Sequence, residues 1–221
     1  MIKHSREDSF LLLCNYMRMY QMFIDDLTFA RGEDNEIVNK TYEKETITSA
    51  DCYQVTFQNV VFSGCSFIEC DFEKAAFYDC TFEKCDLSNC SFQESYWKNC
   101  RIANCKGHGA DLSRTIVKQT RIEESVFAYG LFAEGKWENT ELKDCDLSNA
   151  ALTECALNKI KLSDVDLRGA ELFRTPLKGI DLSDCNIAGI VVSENAVELK
   201  GAIISYSHTA EIAEMFGVIV Q

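Results

Sequence analysis

The chain has 221 residues and carries 22 lysine and arginine residues against 35 aspartate and glutamate residues, which gives a formal net charge of −13. This charge argues against direct binding to nucleic acid, because phosphate binding requires clustered positive charge. It also argues against binding to an anionic membrane surface and favours contact with basic surfaces of other proteins. The length and the 47% hydrophobic content allow one elongated domain or two small ones.

The first predicted element is a helix over residues 5–29. It opens with Ser5-Arg6-Glu7-Asp8, which matches a capping box. The helix has only a narrow polar stripe, so other residues must cover most of its circumference. Two interpretations stay open: the helix caps an open end of the next domain, or it projects and docks a protein partner. Residues 31–46 are rich in charge and predict a linker, so residues 1–46 are expected to form a helix and a linker.

The apolar stretch 10–24 does not resemble a targeting or membrane segment. Polar residues interrupt it, and it is shorter than a span of the bilayer requires. Glu7 and Asp8 precede it, where a signal peptide would carry basic residues. The sequence therefore predicts a cytoplasmic protein.

A large apolar residue returns at every fifth position from residue 57 to residue 192. The series has 28 positions, and 27 of them are large and apolar; Gly107 is the exception. A second column of mostly small residues lies two positions earlier in each repeat, and the remaining positions are mostly polar. A period of five fits neither a helix nor a plain strand. It indicates a chain that turns a corner every five residues and closes a square coil after four repeats.

This pattern resembles the pentapeptide-repeat family, in which a small residue is followed by Asp or Asn, then Leu or Phe, then two polar residues. The resemblance implies an all-β solenoid, a right-handed quadrilateral β-helix over residues 47–204 with about seven coils. The N-terminal helix and a short C-terminal helix would flank it. Clear copies are Cys85-Asp86-Leu87-Ser88-Asn89, Ala110-Asp111-Leu112-Ser113-Arg114, Cys145-Asp146-Leu147-Ser148-Asn149 and Ile180-Asp181-Leu182-Ser183-Asp184.

Ten of the 12 cysteines fall in the inward column of small residues, and Cys14 and Cys52 are the two exceptions. A free cysteine behaves as a small buried apolar residue. The spacing merely follows the repeat, and no histidine pairs with it, which argues against a metal site. We expect reduced thiols and no metal or other cofactor.

Residues 205–221 predict a short amphipathic helix followed by an exposed apolar tail. This ending resembles that of the Qnr-like, quinolone-resistance branch of the family, which pairs tail to tail. The resemblance implies a homodimer held by Ile212, Met215, Phe216, Val218 and Val220.

The polar positions carry an uneven charge when they are sorted by side of the square. One side, the acidic side, has a net charge of −5, and another, the basic side, has a net charge of +3. The acidic side carries Asp71, Glu73, Glu94, Asp111, Glu134, Glu154, Glu171 and Glu194 against Lys74, Arg114 and Arg174. The basic side carries Lys98, Lys118, Lys136, Lys159 and Lys178 against Asp79 and Glu138.

Three outward apolar residues, Val126, Tyr129 and Leu131, are expected to cluster in the middle of the rod. Exposed apolar patches often mark contacts with other proteins. Gly107 lies one coil away, where it either belongs to the contact or forms a local bulge that lets Phe127 lean inward.

No catalytic residues are identified, since the three histidines match no known catalytic arrangement and no phosphate-binding loop is present. The family resemblance implies a non-enzymatic binding protein that imitates DNA. Its expected partner is a type II topoisomerase, DNA gyrase or topoisomerase IV, with protection from quinolones as the outcome. The alternative is an inert scaffold whose N-terminal helix docks an unrelated protein.

Overall fold

The computed structural model describes residues 22–220. Helix α1 (Met22–Gly32) leads into a solenoid of short strands, which is followed by two single-turn 3-10 helices (Val197–Leu199 and Tyr206–His208) and helix α2 (Thr209–Met215). The strands are β1 Glu36–Val38, β2 Thr41–Glu43, β3 Thr46–Thr48, β4 Thr56–Gln58, β5 Val61–Ser63, β6 Ser66–Ile68, β7 Ala76–Tyr78, β8 Thr81–Glu83, β9 Tyr96–Lys98, β10 Arg101–Ala103, β11 Ile116–Lys118, β12 Arg121–Glu123, β13 Lys136–Glu138, β14 Glu141–Lys143, β15 Ala156–Asn158 and β16 Lys161–Ser163.

The strands form parallel sheets on the sides of a four-sided coil. One seven-stranded sheet runs β1-β4-β7-β9-β11-β13-β15, and a second runs β2-β5-β8-β10-β12-β14-β16. The pair β3-β6 and a series of single parallel bridges hold the other two sides together. The pairings join residues 20 apart, as in Phe57↔Phe77, except for the last bridge, Asp181↔Ile203, which joins residues 22 apart. The quadrilateral β-helix predicted from the repeat is therefore confirmed.

The solenoid begins earlier than residue 47. Strands β1 and β2 lie within the charged segment 31–46 and pair with β4 and β5 of the next coil. The prediction of a linker there was wrong, because the outward positions of the first coil carry most of the charge. Its inward residues, Ile37 and Tyr42, are buried.

Each corner of the coil depends on one residue in the left-handed region. Every fifth residue from 39 to 179 has a φ between 47° and 78°. The amide of this residue donates to a carbonyl of the next coil, as Lys74 does to Gln93 at 2.8 Å. The corner therefore turns the chain onto the next side without losing the hydrogen bonds that join the coils.

The inward residues form one continuous core with two different halves. In the first half aromatic rings stack along the rod, with centroids 5.0 Å apart for Phe57 and Phe77 and 4.0 Å apart for Phe77 and Trp97. In the second half leucines replace the rings and leave a narrow apolar cavity of about 30 Å³. Aromatic rings pack the first half more completely, since a leucine cannot reach as far across the coil.

Helix α1 closes the first coil. Phe23 is fully buried, and its ring lies 5.1 Å from that of Tyr42 and 5.8 Å from that of Phe62, measured between centroids. The buried carboxylate of Glu45 accepts the Phe23 amide at 3.2 Å. Asp26 accepts hydrogen bonds from the Tyr42 hydroxyl and the Lys40 ammonium group, each at 2.8 Å. Residues 22–32 therefore act as a cap, whereas the predicted helix over 5–21 lies outside the described residues.

The 11 cysteines among the described residues are buried free thiols. The inward thiols occupy the space between adjacent coils, where most of them donate to the carbonyl of the residue 23 positions earlier. The Cys85 thiol, for example, lies 3.4 Å from the Phe62 carbonyl oxygen. Burial raises the pKa of the Cys145 thiol to about 11.

The Phe127 ring of the next coil occupies the core space beside Gly107, which has no side chain. A Cβ atom added to Gly107 would lie 2.3 Å from the Phe127 ring. The backbone ladder continues through this position, since the Gly107 amide donates to the Val126 carbonyl at 2.7 Å. Phe127 therefore does lean into the vacant position, as one of the two interpretations expects, but without a bulge in the backbone.

We predict that Gly107→Leu lowers the free energy of unfolding by about 1–3 kcal/mol, because the new side chain and the Phe127 ring compete for one space. The double variant Gly107→Leu/Phe127→Leu restores the ordinary repeat and should recover most of this loss. Urea unfolding measures both. Equal stability of Gly107→Leu and the unaltered protein would contradict the packing seen here.

We predict that iodoacetamide at pH 8 leaves Cys145 unmodified in the folded protein. The raised pKa keeps the thiol protonated at this pH, and burial blocks the reagent. In urea without reductant, mass spectrometry should find all 12 cysteines of the chain alkylated. A smaller number of alkylated residues in urea would show that disulfides form.

Candidate protein-binding surfaces

The aspartates of the acidic side hold its turns. The Asp71 carboxylate accepts the Glu73 amide at 2.8 Å, and the Asp111 carboxylate accepts the Ser113 amide at 2.9 Å. Asp111 also accepts a hydrogen bond from the Gln93 side chain. An aspartate that bonds to the backbone two residues later stabilises a turn. Both residues are therefore half-buried structural groups, although each keeps its negative charge at the surface.

Three glutamates of the acidic side form ion pairs with basic residues of the same side. Glu73 lies 3.1 Å from Lys74. Glu94 lies 3.2 Å from Arg114, and Glu154 lies 2.9 Å from Arg174, measured between the paired N and O atoms. The last two pairs join residues 20 apart, which adjacent coils place side by side. Exposed pairs add little stability, but they neutralise part of the charge that the sequence assigns to this side.

Glu134 and Glu171, like Glu194 near the last coil, are glutamates of the acidic side that form no ion pair among the described residues. Glu134 and Glu171 are both exposed. They lie on the second half of the rod, on either side of Glu154. Negative potential on this half of the acidic side is therefore expected around Glu134 and Glu171.

The acidic and basic sides share an edge of the rod. The basic side is the sheet that begins with β1, and each of its strands starts two residues after the left-handed residue of the acidic side. The Lys136 ammonium group and the Glu134 carboxylate thus belong to the same edge. A partner that covered this edge would meet charges of both signs.

The three outward apolar residues lie together where the acidic side meets the side that precedes it. The exposed fractions of Val126, Tyr129 and Leu131 are 39%, 55% and 44%. Only Gly130 separates Tyr129 from Leu131, and the His108 ring lies 5.1 Å from the Tyr129 ring, between centroids. This apolar cluster borders the region of unpaired acidic residues, so that one partner could contact both.

The five residues predicted to form a dimer divide into two groups. Ile212 and Met215 of helix α2 pack against the end of the core and are partly buried. Phe216, Val218 and Val220 follow the helix and have exposed fractions of 57%, 53% and 46%. The neighbouring Ile219 is 84% exposed. The tail therefore presents a run of apolar side chains beside the last coil, and Ile219, which the sequence prediction omitted, is its most exposed member.

Residues 22–220 contain neither a candidate metal site nor a candidate membrane-spanning helix. No group of three or more histidine, cysteine, aspartate and glutamate side chains has a geometry suited to a metal ion. None of the helices in this range combines the length and the apolar character that crossing a membrane requires.

The sequence prediction missed the partial neutralisation of the acidic side. The sequence does contain the information needed to predict these ion pairs, because residues 20 apart become neighbours once four repeats close a coil. The sequence places Glu94 and Arg114 at this spacing, and likewise Glu154 and Arg174.

Comparison with known proteins places these surfaces on a recognised fold. Three family models match the chain: "Pentapeptide repeats (9 copies)" over residues 47–101, "Pentapeptide repeat region" over residues 75–152 and "Pentapeptide repeats (8 copies)" over residues 145–184. No curated protein matches the sequence.

Solved structures with similar folds include two of trypsin-treated QnrB1, described as a plasmid-mediated fluoroquinolone resistance protein. Each superposes with a TM-score of 0.52 at 20% identity, covering 84% of this chain and 98% or 97% of the other. HetL from the cyanobacterium Nostoc sp. strain PCC 7120, a pentapeptide-repeat protein involved in the regulation of heterocyst differentiation, gives a TM-score of 0.38 at 17% identity. This superposition covers 77% of the present chain and 84% of the HetL chain. The QnrB1 superpositions, at 20% identity, show a shared fold.

The family models together span residues 47–184, more than half of the chain, and the coils built from this segment have the expected register of 20 residues. The chain belongs to the pentapeptide-repeat family.

Proposed function

We propose that this protein is a non-enzymatic cytoplasmic binding protein that occupies the DNA-binding surface of a type II topoisomerase, DNA gyrase or topoisomerase IV. Protection of the enzyme from quinolones would follow. The observation that carries the proposal is an acidic side with unpaired carboxylates on a rod whose fold matches 98% of the trypsin-treated chain of a fluoroquinolone resistance protein.

The negative charge of the protein supports a DNA-binding partner, although its charge density is lower than that of duplex DNA. Duplex DNA carries one charge per about 1.7 Å of its axis. The whole chain, of which the rod is the main part, has a net charge of −13. Seven coils about 4.8 Å apart have a length of roughly 35 Å, or one net charge per about 3 Å. The rod is therefore a weaker polyanion than DNA, and charge steers its approach more than it sets affinity.

The apolar cluster supplies a contact that DNA does not offer. Tyr129 and Leu131 border the unpaired carboxylate of Glu134 and expose about half of their side-chain surface. A tyrosine such as Tyr129 is typical of the residues that dominate binding energy when a partner covers them. We therefore expect the acidic residues to orient the rod and the apolar cluster to anchor it.

We predict that the double variant Glu134→Gln/Glu171→Gln inhibits gyrase supercoiling about three- to tenfold less strongly than the unaltered protein, because each lost surface charge removes part of the attraction. The matched control is Glu43→Gln/Glu69→Gln, which changes the net charge equally on other sides of the rod. The half-maximal inhibitory concentration is the measurement.

This proposal has a clear negative outcome. If the purified protein neither inhibits supercoiling by gyrase or topoisomerase IV nor restores it in the presence of a quinolone, the topoisomerase is not its partner. Equal inhibition by the two double variants would show that the acidic side does not contribute to binding of the enzyme.

We also propose a homodimer formed through the C-terminal tail. Phe216, Val218 and Ile219 lie exposed in sequence after helix α2, and an exposed apolar patch of this kind commonly binds a second molecule. Two copies joined in this way would place their rods end to end and double the length of the acidic side.

We predict that Phe216→Asp/Val218→Asp yields a monomer in sedimentation velocity, whereas the unaltered protein sediments as a dimer, because two carboxylates per chain would have to be buried in the interface. Ile68→Asp, which places a charge at an exposed apolar residue in the first half of the rod, should remain a dimer. An unchanged sedimentation coefficient in the tail variant would exclude this interface.

A further inference from the structure

A surface groove runs along the edge between the two seven-stranded sheets. It forms because the left-handed residues of the first sheet and the first strand residues of the second sheet flank a buried column of small residues. Over three coils this corner groove encloses about 430 Å³. Its lining consists of Gln119, Thr120, Arg121, Asn139, Thr140, Glu141, Lys159 and Lys161.

The floor of the corner groove offers few free polar groups. The Thr120 hydroxyl donates to the Lys118 carbonyl at 3.0 Å, and the Thr140 hydroxyl donates to the Glu138 carbonyl at 3.2 Å. These hydroxyl protons are therefore engaged within the backbone. Recognition of a ligand would depend on the side chains of the two walls.

The walls carry an excess of positive charge within a strongly acidic protein. Arg121 lies 3.7 Å from Glu141, which pairs one positive with one negative group. Lys159 and Lys161 lie on opposite walls of the same coil, and neither forms an ion pair within residues 22–220. The lining therefore has a net charge of about +2, counted from three cations and one carboxylate.

These features select a class of ligand. We propose that the corner groove binds a small phosphate-containing anion, with Lys159 and Lys161 as its principal ligands and Arg121 as a third. Ammonium groups bind phosphate as point charges, and a guanidinium group adds paired donors. The amides of Gln119 and Asn139 supply neutral donors on one wall.

The surroundings favour a small anion over an extended one. The volume of the corner groove falls within the range of small-molecule sites, which is about 300–1,000 Å³. Glu124, Asp144 and Asp164 occupy the opposite edge of the second sheet, at the left-handed positions of three successive coils. A long polyanion would meet these carboxylates, whereas a mono- or diphosphate group contained between the two walls would not.

The test uses pyrophosphate as the probe and the full-length protein at low ionic strength. Titration calorimetry should show one saturable site per chain. In Lys159→Gln/Lys161→Gln we expect binding to weaken about tenfold or more, since two direct charge contacts are lost. Glutamine suits both the groove and its backbone, because Gln119 already adopts the left-handed conformation of Lys159.

Two further variants separate a specific site from general electrostatics. Lys98→Gln/Lys178→Gln removes the same charge from the basic side outside the groove, and its affinity should stay within about twofold of that of the unaltered protein. Glu141→Gln removes the one carboxylate from the lining and should strengthen binding. Absence of saturable binding, or equal weakening in the two lysine double variants, would overturn the proposal.

This outcome is independent of the topoisomerase. The corner groove lies on the edge of the basic side away from the acidic side, so that supercoiling assays and pyrophosphate titration report on different surfaces. Thermal unfolding of each variant should match that of the unaltered protein, since the four lysines are exposed and Glu141 is only half-buried.

Discussion

The whole structure depends on the hydrogen bonds between coils, which join residues 20 apart in every pairing except the last bridge. Each corner keeps this register by holding one residue in the left-handed region, at a cost of about 1–2 kcal/mol when the residue has a side chain. Glu134, Lys159 and Tyr129 all accept this conformation. The amide at the corner stays bonded to the next coil, and the adjacent inward residues are buried, which together offset the cost. The last coil accommodates two extra residues, since Asp181 pairs with Ile203, whereas the earlier pairings keep the spacing of 20.

A fixed register also turns the surface into a lattice, in which a side chain's nearest neighbours are 20 residues away. This spacing explains why net charge alone is a poor guide to the binding surface. Arg114 neutralises Glu94, and Arg174 neutralises Glu154, so the charge of the acidic side rests on members without an ion pair, such as Glu134 and Glu171. Within one coil, the corner places Lys159 and Lys161 on opposite walls of the groove, although only one buried residue separates them in the chain.

The apolar core is covered in different ways at the two ends of the rod. At the first coil, Phe23 of α1 covers the aromatic core, and a buried carboxylate, Glu45, fixes the helix through its backbone. At the last coil, Ile212 and Met215 cover the leucine core, but the tail that follows remains exposed. An edge left uncovered in this way invites pairing with another chain. The capped end therefore stabilises one molecule, and the other end is suited to assembly.

The sequence by itself determined the repeat, the number of residues in a coil, the inward columns and the burial of ten cysteines, because a strict period of five leaves one way to bury the apolar series. It did not reveal that β1 and β2 precede residue 47, since charged residues at outward positions of the first coil resemble a linker. Only the tertiary structure decided which carboxylates stay unpaired, where Phe127 fills the place of Gly107, and how Thr120 and Thr140 become the floor of a groove. These features depend on distances between coils, and such distances are fixed only after the coils stack.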